Sequence, residues 1–363
     1  MVKNKVSLYF HIPFCTKKCP YCHFYVIPNR LSHHKLLSES IALEWQKQLP
    51  LLKNKEIVSI YFGGGTPALF GGIEEILKNI SRGPDCEITI EANPEEITLD
   101  LLTHFRAIGI NRLSLGVQSL DDRSLQTLER VHSADKAKEA IHNAKKAGFE
   151  NVSIDLMYDL PGQTEESFRY TLNQLSALPI HHISLYNLTI EPHTSFYKRQ
   201  VQTPAPELSL RLLTAAVEKF KELGFERYEI SAFALPNHKS LHNLGYWTAR
   251  PFLGFGPSAF SYWSNKRFRN VANINRYAKQ LKENLSAVDF EEELTYPANV
   301  KELFAVKIRL KEGANLHEFE LPDETLTAIE KLKYLELLKE ENFQIQLTER
   351  GMLFYDTVAA EII

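Results

Sequence analysis

Cys15, Cys19 and Cys22 fall within Cys15-Thr16-Lys17-Lys18-Cys19-Pro20-Tyr21-Cys22, a C-x3-C-x2-C spacing that follows the apolar run Val6 to Phe14. Three thiolates on one tight loop can hold three irons of a cubane cluster and leave the fourth iron open to a small molecule. The chain has four cysteines in all, so three packed this closely read as a site rather than as scatter. Zinc is the competing metal. It wants a fourth ligand to close a tetrahedron, which His11 or His23 could supply, but the second C-x2-C pair usual in zinc knuckles does not follow. Cys86, in Cys86-Glu87-Ile88-Thr89-Ile90, reads as a small buried hydrophobe on a strand.

Such a loop needs a scaffold to aim it. Strand-like runs at 6–12, 57–62, 87–91, 112–117, 152–157 and 182–188 alternate with amphipathic stretches, the pattern of βαβ units around a parallel sheet. Helix starts are marked by Thr98 before 99–105, Ser133 before 137–147 and Thr164 before 168–178. The fold class expected is α/β, a partial (β/α)6 barrel of the TIM type, in which function gathers where the strands end. The first strand delivers the cysteines. The second runs into Gly63-Gly64-Gly65-Thr66-Pro67, where missing Cβ atoms would let backbone N–H groups approach a charged ligand. The third, fourth and fifth end at Glu91-Ala92-Asn93-Pro94, at Gln118-Ser119, and at Asp155 in the run up to Gly162. Polar side chains beside apolar runs are costly without partners. Singly each reads as a satisfied structural group, and together they read as one polar rim.

Beyond the barrel, Pro204 to Pro206 leads into a helix over 208–223 and a strand-like Tyr228-Glu229-Ile230-Ser231. An aromatic and glycine-rich block follows, His242 to Trp247 and then Phe252 to Ala259. On a helix His242 and Tyr246 share a face. An imidazole among flat rings suits a heme iron and its macrocycle, while the alternative has these aromatics closing the open side of the barrel. The tail reads as a helix over 297–310, a helix over 325–339, an alternating strand at 343–347 and a last helix to 363. That is a small α+β winged-helix-like module. Residues 321–363 carry four Lys/Arg against nine Asp/Glu, 4 − 9 = −5, so it is expected to cap the barrel rather than bind DNA. The domains expected are 1–225 (barrel), 226–290 (barrel-closing segment) and 291–363 (cap).

With 363 residues, 44% hydrophobic and 24% charged, the chain can bury one large core plus an appendage. A net charge of −3 argues against nucleic acid or an anionic membrane surface as partner. The basic start Met1-Val2-Lys3 has no apolar core and cleavage site after it, and no apolar run reaches ~18 residues. A soluble, cytoplasmic protein with reduced thiols is expected, a transient membrane association being left open.

The cysteine loop, with Tyr21 just before its last cysteine, resembles that of the radical S-adenosylmethionine (SAM) superfamily. The string Tyr9-Phe10-His11-Ile12-Pro13-Phe14-Cys15 is similar to the branch holding oxygen-independent coproporphyrinogen III oxidase and the heme chaperones. The resemblance implies a 4Fe–4S cluster on Cys15, Cys19 and Cys22, with SAM chelated at the open iron. It implies contacts to that SAM from Tyr9, Gly64 and Glu91, with Tyr21 as the loop's aromatic. Gly65, Thr66, Gln118, Arg130 and Asp155 match positions lining the SAM pocket and a second SAM site. His242-Asn243-Leu244-Gly245-Tyr246-Trp247 resembles the HNxxYW motif of the heme-chaperone branch, which makes His242 the expected heme-iron ligand. The implied function is a chaperone that binds heme and passes it to acceptor hemoproteins. The alternative is SAM-dependent oxidative decarboxylation of coproporphyrinogen III. Two departures favour the first: Phe24 replaces a further cysteine of the oxidase, and the first cysteine stands at position 15, where the oxidase carries an N-terminal extension. His23 occupies a position that is acidic in the branch. The acceptor and the electron donor are not identifiable from these residues.

Overall fold

The computed structural model describes residues 4–363, so the basic start at Met1 to Lys3 lies outside the described residues. All six barrel strands form: β1 (Lys5–Ile12), β2 (Glu56–Gly64), β3 (Glu87–Ala92), β4 (Arg112–Gln118), β5 (Val152–Tyr158) and β6 (His182–Asn187). They lie side by side in chain order and every neighbour is parallel. Alternation explains the layering. Val6, Leu8, Phe10 and Ile12 of β1 are fully buried and belong to the main apolar core. The alternate positions are polar and pair in register across the strands: Ser7 opposite Ser59, Tyr9 opposite Tyr61, Glu91 opposite Ser114 and Asp155 opposite Ser184. The barrel therefore has an apolar outside under its helices and a polar inside.

Helices start where local chemistry sets them. The side chains of Thr98, Ser133 and Thr164 accept from the backbone N–H groups of Leu101, Lys136 and Ser167, starting helices Leu99–Ala107, Ala134–Lys146 and Glu165–Gln174. Thr164 and Ser167 bond reciprocally as a capping box.

The sheet continues past both edges of the barrel. Phe252–Phe255 pairs parallel with β1 and is followed by the antiparallel strands Phe260–Trp263, Lys266–Asn270 and Val288–Glu293. The block read as an aromatic cluster thus contains a further parallel strand. On the other side Ala232–Ala234 pairs with β6 and with Glu226–Arg227. The expected strand at 228–231 is instead the turn between those two. Tyr228 N donates back to Ala232 O at 3.1 Å, and Ser231 N donates to the Glu229 side chain at 2.9 Å.

Helix Leu241–Trp247 packs at the amino ends of the barrel strands. Glu87, the first residue of β3, accepts from Leu241 N at 2.9 Å and from His242 N at 2.8 Å. Here a carboxylate satisfies orphan N–H groups at a helix start.

The C-terminal part has its own core, with Phe304, Ile308, Ile329, Leu332, Leu338, Ile345 and Val358 among its residues. Helices Ala298–Lys307, Asp323–Tyr334 and Tyr355–Ile362 surround a three-stranded sheet ordered Ala314–Asn315, Gln344–Leu347, Leu338–Glu341. The helix expected over 325–339 stops at Tyr334. Glu336 takes a left-handed φ of 58°, and the chain turns back as a strand. The last helix is likewise two, Glu349–Leu353 and Tyr355–Ile362, broken at Phe354. The Arg309 guanidinium ties this module to the barrel. It lies 4.2 Å from the Trp247 ring and 4.8 Å from the Tyr355 ring, and pairs with Glu229 at 3.3 Å. Among the described residues no helix is long and apolar enough to cross a membrane.

Candidate functional site

The cysteine loop leaves β1 at its carboxyl end and is tied at both of its own ends. Ile27 N donates to Pro13 O at 2.7 Å, Asn29 N to Cys15 O at 3.1 Å, and Cys22 N to Cys19 O at 3.1 Å within the loop. The three thiols are free, half-buried and on the wall of a cavity of about 510 Å3. Burial pushes the Cys15 thiol up to about 11 and raises that of Cys22 as well. A cation must therefore displace their protons before they ligate. Of the two histidines that could have completed a zinc site, His11 is spent. Its Nδ1 bonds the Tyr9 hydroxyl at 3.1 Å and its Nε2 the Tyr25 carbonyl at 3.0 Å. Among the described residues no three His, Cys, Asp or Glu side chains converge as they would around a single ion.

Next to Cys15 on the cavity wall stand Gly64, Gly65 and Thr66. Gly64 has φ +116°, and a Cβ there would lie 2.6 Å from the His11 ring; one on Gly65 would lie 2.7 Å from Phe14 O. These glycines let the end of β2 press against the chain leaving β1. Their N–H groups are not left for a ligand. Gly64 N donates to Glu91 Oε2 at 3.1 Å, Gly65 N to Ile12 O at 2.9 Å, and Thr66 N to Phe14 O at 2.7 Å. In this fold the Glu91 side chain and the chain leaving β1 take up these three amides.

What the turn does offer is a fixed carboxylate. Glu91 accepts from Tyr61 Oη at 2.7 Å as well as from Gly64 N. Burial, with Asp155 close by, still pushes its carboxyl up to about 7. Burial also lifts Asp155 to about 6, against the pull of Ser184 and the charges of Arg112 and Arg130. Both groups sit on the cavity wall and are poised for a cation.

Arg130 is the hub between the two sides. Its Nη1 donates to Cys19 Sγ at 3.2 Å, and its Nη2 to Asn93 Oδ1 at 2.7 Å and to Gly116 O at 3.0 Å. Burial works against the charge, but Tyr21, Cys19 and Glu95 hold the guanidinium protonated. Asn93 in turn donates to Thr66 Oγ1 at 2.9 Å, which lies 3.7 Å from Cys15 Sγ. Gln118 ends β4 with a left-handed φ of 65°, a strained conformation for a residue with a side chain. Asn93 was visible in the sequence only as a polar strand end, and Ser114 and Tyr186, also on the wall, gave no signal at all. The same is true of His132, which braces the rim by bonding Glu95 at 3.0 Å and Val117 O at 3.1 Å.

Of the residues expected here, Tyr21, Gly64, Gly65, Thr66, Glu91, Gln118, Arg130, Asp155 and the three cysteines line this one cavity. Tyr9 and His242 do not. Tyr9 stands behind the wall, stacked 6.2 Å from Tyr61. His242 is 1% exposed, at the opposite end of the strands. Its Nδ1 bonds Ser59 Oγ at 3.0 Å and its Nε2 the Tyr246 hydroxyl at 2.9 Å. Burial, with Arg250 and Arg112 near, pushes it down to about 3. The HNxxYW segment is indeed helical, with His242 and Tyr246 on one face, but that face is turned into the barrel. In this fold both ring nitrogens of His242 are bonded within the protein.

The sequence profile of the Radical SAM superfamily matches residues 9–175. Heme chaperone HemW of Lactococcus lactis is 30% identical over 370 residues, covering 97% of this chain and 95% of that protein. Heme chaperone HemW of Haemophilus influenzae is 33% identical over 372 residues, covering 96% and 95%. Among solved structures, coproporphyrinogen III oxidase (HemN) from Escherichia coli, described as a radical SAM enzyme, superposes with a TM-score of 0.88 at 25% identity. That match covers 100% of this chain and 91% of the oxidase. With three thiols on the loop after β1 and near-full-length likeness to these proteins, the chain belongs to the radical SAM superfamily and, within it, to the HemW family.

Proposed function

We propose that this protein carries a 4Fe–4S cluster on Cys15, Cys19 and Cys22, binds SAM beside it, and works as a heme chaperone that hands heme to an acceptor hemoprotein. The observation that carries the reading is the placement of the three thiols and the Glu91 carboxylate on one cavity wall, in a chain that matches HemW proteins along almost its whole length. The residues present fit the cluster. Three free thiols on a loop held by its own backbone bonds, and no fourth cysteine near them, leave one corner without a protein ligand.

Cluster and SAM together supply reductive cleavage of a carbon–sulfur bond. The rest is done by the chain. Glu91, locked by Tyr61 and Gly64, would accept from the ammonium of a bound amino acid moiety. Arg130 would offer its carboxylate a cation while holding Cys19 in place. Gly64 and Gly65 keep the β2 end close enough to the cysteine loop for one small molecule to touch both. The cytoplasm, where thiols stay reduced, suits this chemistry.

Anaerobic reconstitution followed by heme titration and transfer to an apo-hemoprotein tests the function. Heme uptake without net porphyrinogen turnover is expected. The second reading, porphyrinogen decarboxylation, is favoured by the whole-chain superposition on the oxidase. Conversion of coproporphyrinogen III to protoporphyrinogen IX by the purified protein with SAM would establish it and overturn the first.

A further inference from the structure

We infer that the side chain that ligates heme iron is His23, at the mouth of the cluster cavity; this deepens the heme reading above and rests on it. Heme iron takes a neutral imidazole nitrogen, and the flat macrocycle wants apolar surface on its faces and cations for its two propionates. Among the described residues His23 is the only histidine on the cavity wall. It is exposed, and neither ring nitrogen has a hydrogen bond or ion pair to a described residue. Its ring lies 4.6 Å from that of Phe24, at 32°.

The surroundings match the rest of the ligand. Phe24 is 55% exposed and Val131 62% exposed, two apolar side chains left in water on the same wall as His23. A macrocycle laid against them would cover both. Lys17 and Lys18 line that wall too; Lys17 pairs with Glu129 at 3.4 Å and Lys18 donates to Phe24 O at 3.2 Å, exposed contacts that two propionates would replace.

Four buried histidines are spent. His242 and His11 have both ring nitrogens engaged, as described above, and so do His132, to Glu95 and Val117 O, and His182, to Ser153 and Tyr228. His23 also follows Cys22 directly, so heme bound there sits beside the cluster loop. Cargo and cofactor would share one mouth.

The test is an anaerobic titration with ferrous heme, followed at the Soret band, on the full chain in cluster-loaded and cluster-free form. Using both forms compares variants like with like even if one assembles the cluster poorly. His23→Ala is expected to weaken binding at least about tenfold and to shift the band. His23→Met is expected to bind with an altered, thioether-type spectrum. His242→Ala is expected to keep the wild-type band and affinity. Wild-type spectra and affinity in both His23 variants, or loss of the band in His242→Ala alone, would overturn the assignment while leaving the heme reading intact. If the unmodified chain takes up no heme, the functional reading fails and the ligand with it.

Discussion

Glu91 shows how a single residue trades stability for binding. Its carboxyl is pushed up to about 7 by burial, above its value in an unfolded chain. The folded state therefore favours the protonated form, and the stability from this group is lost as pH rises through about 7. An ammonium ligand needs the opposite, the ionised form. SAM affinity should accordingly increase from pH 6 to pH 8, with a proton released on binding; calorimetry in buffers of different ionisation enthalpy checks this. Glu91→Gln should lose at least about tenfold in SAM affinity, yet raise the melting midpoint of ligand-free protein at pH 8 and not at pH 5. Equal midpoints at pH 8 would mean that the carboxylate is not strained. At Cys19 the expectation is simpler. Cys19→Ser leaves two thiolates, and the broad visible absorption of the reconstituted cluster should vanish along with most of the bound iron. Full iron content in that variant would remove the loop from the site. Cys19 was legible because residue type and spacing declare chemistry, whereas Glu91 showed only as a polar strand end until the family resemblance marked it. The direction of His242 was not legible: a motif gives a helix face, and only the packing says whether that face looks at ligand or at core.

Elements were legible where their signals are local. Strand period and the threonine and serine caps at Thr98, Ser133 and Thr164 all lie within a few residues of what they specify. Those missed depend on distant partners. Phe252–Phe255 becomes a strand because β1, far upstream, offers it an edge. Tyr228 to Ser231 turns because the Tyr228 hydroxyl reaches His182 and Glu229 reaches Arg309. Helix Leu241–Trp247 also depends on a distant group, the Glu87 carboxylate. Glu87→Ala leaves the N–H groups of Leu241 and His242 without acceptors in a buried place, at about 1–3 kcal/mol. The variant should melt several degrees lower, measured by circular dichroism, with iron content and SAM affinity unchanged. A fall in SAM affinity would mean that the helix shapes the cavity from below.

At the scale of the molecule, Arg309 is, among the described residues, the most buried of three cations that join the two parts, the others pairing Lys239 with Glu312 and Arg267 with Glu302. Arg309 lies against Trp247 and Tyr355 and pairs with Glu229, so the last residue of the HNxxYW segment serves as a docking plate for the C-terminal module. Arg309→Ala removes the stacking and leaves Glu229, which is 4% exposed, without its cation. About 2 kcal/mol or more should go, and amide exchange across 298–362 should speed up relative to the barrel. Uniform exchange over the whole chain would show that the two cores still open together.

Backbone bonds at both ends of the cysteine loop fix where its three thiols stand. In domains that fold only around their metal, losing the ion means losing the structure. Here the chain's own bonds lead to a different expectation: oxidative stripping should cost the cofactor and spare the frame, so circular dichroism of iron-depleted protein should match that of the loaded form.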